Sequence, residues 1–372
     1  MGKSTSDKKP ETASLTQTTL FVARTNGYWI YRIPGVVTAP KGVILAYCEA
    51  RYDHGSDWAP SDILLRRSTD DGLTWQPPRC LVSFKDYGQG PMNNPVCVAD
   101  RESGCVSLLF CHNYARAFVM HSDDGGIHWT APREITDVFE AFRSRYDWGV
   151  IAIGPGHGIQ LSSGRLLVPI WLSESKTHAH RPNRAAVIYS DDHGESWQAG
   201  GMVPDKIPNC NETEAVELSN GAILLNMRNM GPARRRAASI SWDGGTEWSE
   251  PFYLNDLLEP RCFGSICSYP HAMDGRFRLL FANPDNLRSS LPDHPFGFAD
   301  RKRLTIKVSY DQGCTWPVAK VLEPGYAGYA DLAVTDQGHI LCFYERGHLE
   351  RGQTDTQSLC LARFNLAWVE SR

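Results

Sequence analysis

Short apolar runs separated by turn residues recur along the chain: Val43-Ile44-Leu45-Ala46, Ile63-Leu64-Leu65, Val106 to Phe110, Leu166 to Ile170, Ala186-Val187-Ile188-Tyr189, Ile223-Leu224-Leu225, Leu304 to Val308 and Ile340-Leu341. Each has the length of a strand. No long segment with a 3.6-residue period competes with them, so the pattern predicts an all-β protein.

Between the runs, Ser-x-Asp-x-Gly-x-(Thr)-Trp recurs five times. The copies are Ser68-Asp70-Gly72-Thr74-Trp75, Ser122-Asp124-Gly126-Trp129, Ser190-Asp192-Gly194-Ser196-Trp197, Ser241-Asp243-Gly245-Trp248 and Ser309-Asp311-Gly313-Thr315-Trp316. His128 and Glu247 take the Thr place in the second and fourth. The spacing of roughly 50 to 70 residues suits one blade of four short strands per repeat. In each copy Asp and Gly predict a tight turn, the Asp side chain bonds nearby N–H groups, and the Trp packs between strands. Each copy therefore reads as a hairpin turn within a blade, with a folding role and no catalytic part.

The length of 372 residues fits one large propeller domain. The polar stretch Met1 to Thr16 reads as a disordered tail, with residues 17–372 as a single domain. The tail lacks the apolar core of a signal peptide, so a cytoplasmic location is the expectation for the chain as it stands, and a secreted one if a signal has been removed. No run approaches the ~18 apolar residues of a membrane span. A net charge of −4 gives no reason to expect nucleic acid or an anionic membrane as partner. Arg234-Arg235-Arg236 is the one dense basic cluster, read as a solvated turn or strand edge. Eleven cysteines, many inside apolar runs (Cys48, Cys97, Cys111, Cys342), point to buried free thiols rather than a disulfide framework. No CxxC pair occurs, and the His178/His180 pair reads as a loop without ligand function, so no metal is expected.

Charged residues nevertheless stand at the ends of apolar strands: Arg32, Arg51, Arg228 and Glu345. A lone charge there is costly unless paired. Several arginines that converge suggest an anionic ligand, because a guanidinium grips a carboxylate bidentately.

At Tyr31-Arg32-Ile33-Pro34, followed by Arg51 and the five repeats in order, the chain resembles the exo-α-sialidase (neuraminidase) family of Asp-box, or BNR-repeat, propellers. The resemblance runs from about Leu20 to the C-terminus. It implies a six-bladed β-propeller and a glycoside hydrolase that releases terminal sialic acid from glycans without a cofactor. It also implies an arginine triad on the substrate carboxylate. Arg32 and Arg228 match the first two members, and Arg301 is the choice for the third, with Arg303 and Arg288 as rivals because a Pro-rich stretch, Asp285 to Asp300, intervenes. Asp57 matches the acid, with Asp53 and Asp62 as alternatives. Glu212 matches the general base. Tyr329 matches the nucleophile, with Tyr326 a near neighbour. Arg51 accompanies the acid, and Glu345 matches the residue that positions the first arginine. Gly154-Pro155-Gly156-His157-Gly158-Ile159-Gln160 resembles a family stretch without assigned chemistry, and Trp58 is placed either at the sugar pocket or in packing.

The residue types suit the reaction. Sialic acid carries a carboxylate on its anomeric carbon, which repels a carboxylate nucleophile. A neutral Tyr hydroxyl avoids that repulsion, and a nearby Glu takes its proton. The outcome is net retention. The expected partner is a sialylated glycoprotein, glycolipid or oligosaccharide. Two other functions stay open at this stage: a non-catalytic propeller that binds glycan or protein, and a hydrolase of another 2-keto-3-deoxy sugar acid such as Kdn or Kdo.

Overall fold

The computed structural model describes residues 12–53, 56–174, 180–270, 274–290, 299–349 and 354–371. Residues 1–11 of the expected tail, and His178, lie outside them. The described residues form an all-β propeller whose longest helix has five residues, Leu366–Glu370. No helix among them is long and apolar enough to cross a membrane.

Strand β1 (Leu15–Val22) is set aside by the first sheet, which runs β2 (Ile30–Ala39), β3 (Val43–Arg51), β4 (Ser61–Ser68), β5 (Arg79–Val82) in chain order. The second runs β6 (Met92–Ala99), β7 (Val106–His112), β8 (Arg116–Ser122), β9 (Arg133–Glu134). The third holds β10 (Val150–Ile153), β12 (Leu166–Ser173), β13 (Asn183–Ser190) and β14 (Gln198–Met202), with β11 (Ile159–Gln160) also paired to β12. The fourth runs β15 (Thr213–Glu217), β16 (Ile223–Met227), β17 (Arg235–Ser241), β18 (Phe252–Leu258).

The remaining strands, β19 (Ser265–Tyr269), β20 (Arg278–Pro284), β21 (Lys302–Ser309), β22 (Val318–Val334), β23 (Ile340–Arg346) and β24 (Ser358–Phe364), join β1 in one seven-stranded sheet. Hydrogen bonding thus gives five sheets rather than six. The reason is β22, whose 17 residues pair with β21 through their first part and with β23 through their second. The chain closes when β1 pairs antiparallel with β24, Leu15 opposite Phe364. β1 therefore starts inside the stretch expected to be a tail.

The core lies between neighbouring sheets. One cluster joins Val37, Leu45 and Leu65 of the first sheet to Cys97, Leu108 and Phe110 of the second. Another joins Phe343 and Leu361 to Val36, Ile44 and Leu64, so the last strands pack on the first sheet. Alternating strand residues fill both faces, as burial on two sides requires.

All five Ser-x-Asp repeats are turns between the last two strands of a hairpin set. In the first, Ser68 Oγ donates to Asp70 Oδ1 at 2.8 Å, Gly72 N–H donates to Ser68 Oγ at 3.1 Å, and Thr74 N–H donates to Asp70 Oδ1 at 2.9 Å. Trp75 Nε1 then donates to Gly72 O at 3.1 Å, which needs Gly72 at φ +82°. Each such bond contributes about 0.5–1.5 kcal/mol net. In the fourth copy Trp248 Nε1 makes no such bond.

The basic cluster is a partly exposed turn and strand start at Arg234 and Arg235, but not at Arg236. Arg236 is fully buried on β17, with Glu259 Oε2 at 2.7 Å from Nη1 and Asn226 Oδ1 at 2.7 Å from Nε. Strand β17 lies between β16 and β18, so its inward side chains meet the core. All eleven cysteines are free, and most are buried.

Candidate active site

Arg32 lies on β2, and a β-bulge between Arg32 and Gly35 interrupts its pairing with β3. Ile33 sits in this bulge at φ +57°, a conformation that a β-branched residue rarely takes. Glu345 on β23 stabilises it. Its Oε1 accepts from Arg32 Nε at 2.9 Å and from Ile33 N–H at 3.3 Å, and its Oε2 accepts from Tyr329 N–H at 3.0 Å. A second bulge, between Ala327 and Ala330 on β22, carries Tyr329. A Cβ at Gly328 would lie 2.2 Å from Glu345 Oε2, so only glycine admits this carboxylate. One buried Glu therefore orients both Arg32 and Tyr329.

Glu212 and Arg228 flank the β15–β16 hairpin, where Arg228 N–H donates to Glu212 O at 3.0 Å. Arg228 Nη1 lies 2.5 Å from Glu212 Oε2 and 2.8 Å from Tyr329 Oη. Tyr329 Oη donates to Glu212 Oε1. Burial raises the Tyr329 phenol well above its ordinary pKa, and Glu212 adds to the rise against the pull of Arg228, Arg301 and Arg32. The guanidinium carbons of Arg32 and Arg301 lie 5.1 and 5.2 Å from the Tyr329 ring centre. Arg301 precedes β21 and donates from Nη2 to Arg261 O at 3.2 Å. Burial opposes the charge of Arg32 and Arg228, yet Glu345 and Glu212 hold both pKa values above the usual range.

Arg51 ends β3. Its Nε and Nη2 donate to Glu49 Oε2 at 2.9 and 2.7 Å, and its Nη1 donates to Asp57 Oδ1 at 2.8 Å. The Asp57 side chain is 46 % exposed, and Arg32 Nη1 stands 3.7 Å away. Burial pushes the Asp57 carboxyl up, but Arg51 and Arg32 outweigh it and hold its pKa well below the usual range.

The structure brings Arg32, Asp57, Glu212, Arg228, Arg301 and Tyr329 around one pocket of about 260 Å³. Arg51 and Glu345 stand behind it. The alternatives fall elsewhere. Arg303, Arg288 and Asp53 are exposed and outside the lining. Asp62 accepts from Tyr28 Oη at 2.8 Å, Tyr52 Oη at 2.7 Å and Phe84 N–H at 3.0 Å, which engages it away from the pocket. Tyr326 packs on His348, ring centres 4.1 Å apart.

His180, Arg181, Asn211 and Thr354 also line the pocket. His180 was expected to be an idle loop residue. Its ring instead lies 5.3 Å from Trp58, 4.8 Å from Tyr114 and 5.2 Å from Trp171, forming an aromatic wall. Burial lowers its pKa, which favours the neutral imidazole. The HxH pair was the one signal in the sequence that could have pointed to this residue. Trp58 belongs to the same wall.

Beneath the pocket, His157, Glu214 and Asp331 form the one grouping among the described residues compact enough to consider for a cation. Their atoms are already engaged. His157 Nδ1 lies 2.8 Å from Asp331 Oδ1 and 3.2 Å from Glu214 Oε1. Val36 N–H donates to Asp331 Oδ2 at 2.7 Å, and Ile266 N–H donates to Glu214 Oε2 at 2.8 Å.

Known proteins resemble the chain along most of its length. Residues 42–342 match the BNR repeat-like domain. The chain is 30 % identical to a sialidase of Micromonospora viridifaciens over 95 % of its own length, but it spans 54 % of that protein. It is 28 % identical to Sialidase-3 of Mus musculus, covering 92 % of this chain and 93 % of the relative. The solved structure of Hadza microbial sialidase Hz136 is 27 % identical and superposes with a TM-score of 0.80, covering 95 % of this chain and 69 % of that one. The family match spans most of the sequence, and with the sialidase relatives it leads to one conclusion: the chain belongs to the BNR-repeat sialidase family.

Proposed function

We propose that this protein is a retaining exo-α-sialidase with Tyr329 as nucleophile. It hydrolyses terminal sialic acid, or a related 2-keto-3-deoxy sugar acid such as Kdn, from glycoproteins, glycolipids or oligosaccharides. The observation that carries the reading is the contact of Tyr329 Oη with both Glu212 and Arg228, with two further guanidiniums about the same ring.

In this reading Arg32, Arg228 and Arg301 hold the substrate carboxylate. That charge, set on the anomeric carbon, disfavours a carboxylate nucleophile and favours a phenol. With its pKa raised, the phenol is neutral at ordinary pH and needs a base. Glu212 takes the proton as Tyr329 Oη bonds to the anomeric carbon. Arg228 stabilises the negative charge that develops on the phenol oxygen. Asp57 gives its proton to the leaving glycosidic oxygen, then takes one from the water that displaces Tyr329. Two inversions give net retention.

The same reading counts the fold as six blades in a single catalytic domain. The seven-stranded sheet divides within β22 into one blade of β19 to β22 and a last blade of β22 to β24 closed by β1.

A fluorinated sialosyl fluoride that traps the glycosyl-enzyme tests the reading. Peptide mapping should find the label on Tyr329. Label on Asp57, Glu212 or Tyr326, or no turnover of any aryl sialoside, would refute it.

A further inference from the structure

His157 belongs to the glycine-rich segment that carries no part of the proposed chemistry. Asp331, one of its two partners, stands two residues after Tyr329 on β22. Glu214, the other, stands two residues after Glu212 at the start of β15. One imidazole therefore bridges β15 and β22, two residues along each from the partners of the Tyr329–Glu212 contact.

We propose that His157 is a positioning residue that clamps β15 to β22 through Glu214 and Asp331, and so holds Glu212 within hydrogen-bond reach of Tyr329. This rests on the sialidase reading above.

The clamp is itself held in place. Gly158 N–H donates to Cys97 O at 2.9 Å, and Tyr47 Oη donates to Gly156 O at 2.7 Å while accepting from Cys97 N–H at 2.9 Å. The loop can come this close because of Gly156. At φ +91°, a Cβ there would lie 1.9 Å from Glu214 Oε1. Burial alone would press the imidazole toward its neutral form, but the two carboxylates raise its pKa well above the ordinary value. The clamp is thus an imidazole held by Asp331 on one side and Glu214 on the other, with Ser265 Oγ donating to Asp331 Oδ1 at 3.0 Å from β19.

The nucleophile and its base come from strands 117 residues apart in sequence, so their separation depends on how two sheets sit against each other. A misplacement of about 1 Å costs up to roughly 100-fold in rate. Carboxylate binding draws on Arg32 and Arg301 as well, which hang from other strands, so loss of the clamp should act on kcat more than on KM.

The test compares His157→Ala, His157→Asn and Asp331→Asn in the full chain with an aryl α-sialoside. Asparagine keeps an N–H near the Nδ1 position. The alanine variant should lose about 10- to 100-fold in kcat with KM within about twofold, and the asparagine variant should recover most of it. Asp331→Asn should act like alanine, and it carries the test if His157→Ala does not fold. Crystal structures of parent and variants should show Tyr329 Oη drawn away from Glu212 as kcat falls. Parent kcat in a folded His157→Ala or Asp331→Asn protein overturns the clamp, as does a lost kcat with the Tyr329–Glu212 contact intact. A parent that cleaves no sialoside refutes the sialidase reading instead, and the crystallographic distance then still decides the clamp.

Discussion

Arg51 Nη1 donates to Asp57 Oδ1 at 2.8 Å, and the same guanidinium is anchored from behind by Glu49. The residue proposed to give up a proton is thereby held as a carboxylate, with Arg32 adding to the pull. Substrate changes that balance, because its own carboxylate offsets the field of Arg32 and its body excludes water from Asp57.

A pH dependence follows. The acid form of Asp57 is scarce at neutral pH in the free protein, so kcat/KM should climb as pH falls below neutral. Arg51→Met removes the stronger cation and leaves Glu49 less compensated, and both effects raise the Asp57 pKa. The climb should then move to higher pH. An unmoved profile, or one moved down, would show that Asp57 is not the acid being read.

Tyr329 and Glu212 should lose activity as one unit. Tyr329→Phe keeps the ring between Arg32, Arg301 and Phe263 but removes the attacking oxygen. It should cut turnover by several orders of magnitude with little change in Tm. Glu212→Gln removes the base and should also be severe. The double variant should be scarcely worse than the worse single, because the two act in one step. Additive losses in log kcat would separate their roles.

Carboxylate recognition can be read without turnover. Arg32→Ala, Arg228→Ala and Arg301→Ala should each weaken a carboxylate-bearing 2,3-didehydro sialic acid analogue by roughly 2–5 kcal/mol. Arg303→Ala should bind it like the parent, since that side chain is exposed and outside the pocket lining. Calorimetry on the four variants checks the assignment, and the reverse order for Arg301 and Arg303 would overturn it.

Stability should fall as pH rises from mildly acidic through neutral. Burial pushes Glu214 up to about 8, against the pull of His157 and with Asp331 adding to the rise, while burial and His157 oppose each other at Asp331 and leave its pKa lowered. A carboxyl whose pKa is higher folded than unfolded adds stability that is present below its unfolded pKa and lost as pH rises through the folded one. Tyr47, Cys97, Cys267 and Cys342 also face the cluster, but burial raises all four, so they stay neutral through this range. The parent Tm should therefore drop from about pH 5 to about pH 8 more steeply than that of Glu214→Gln, and the two curves should run parallel above that. Parallel curves throughout would show that Glu214 does not titrate there.

Several features could be read from the chain alone because their causes are local. A Ser-x-Asp-x-Gly turn closes its own hydrogen bonds within about eight residues, so five copies pointed to hairpins wherever the rest of the fold went. Arg32 and Arg228 stand out as charges at the ends of apolar runs, where a lone ion would be costly, whereas Glu212 and Tyr329 are matched through the resemblance to the sialidase family.

Other features waited for the folded molecule. Glu49 accepts from Asn94 N–H on β6 as well as holding Arg51, His180 packs on Tyr114 and Trp171, and Arg236 pairs with Glu259, all contacts between different elements of the fold. That Arg301 lines the pocket and Arg303 and Arg288 do not was visible only once the backbone before β21 was placed, since the three share charge and neighbourhood. Glu345 meets Arg32 across 313 residues and His157 meets Asp331 across 174. A propeller brings such residues together at its axis, because an inner strand of each four-stranded sheet, and both β19 and β22 of the long one, run there. The sequence records which side chains those strands carry, and the packing of sheet on sheet decides which of them touch.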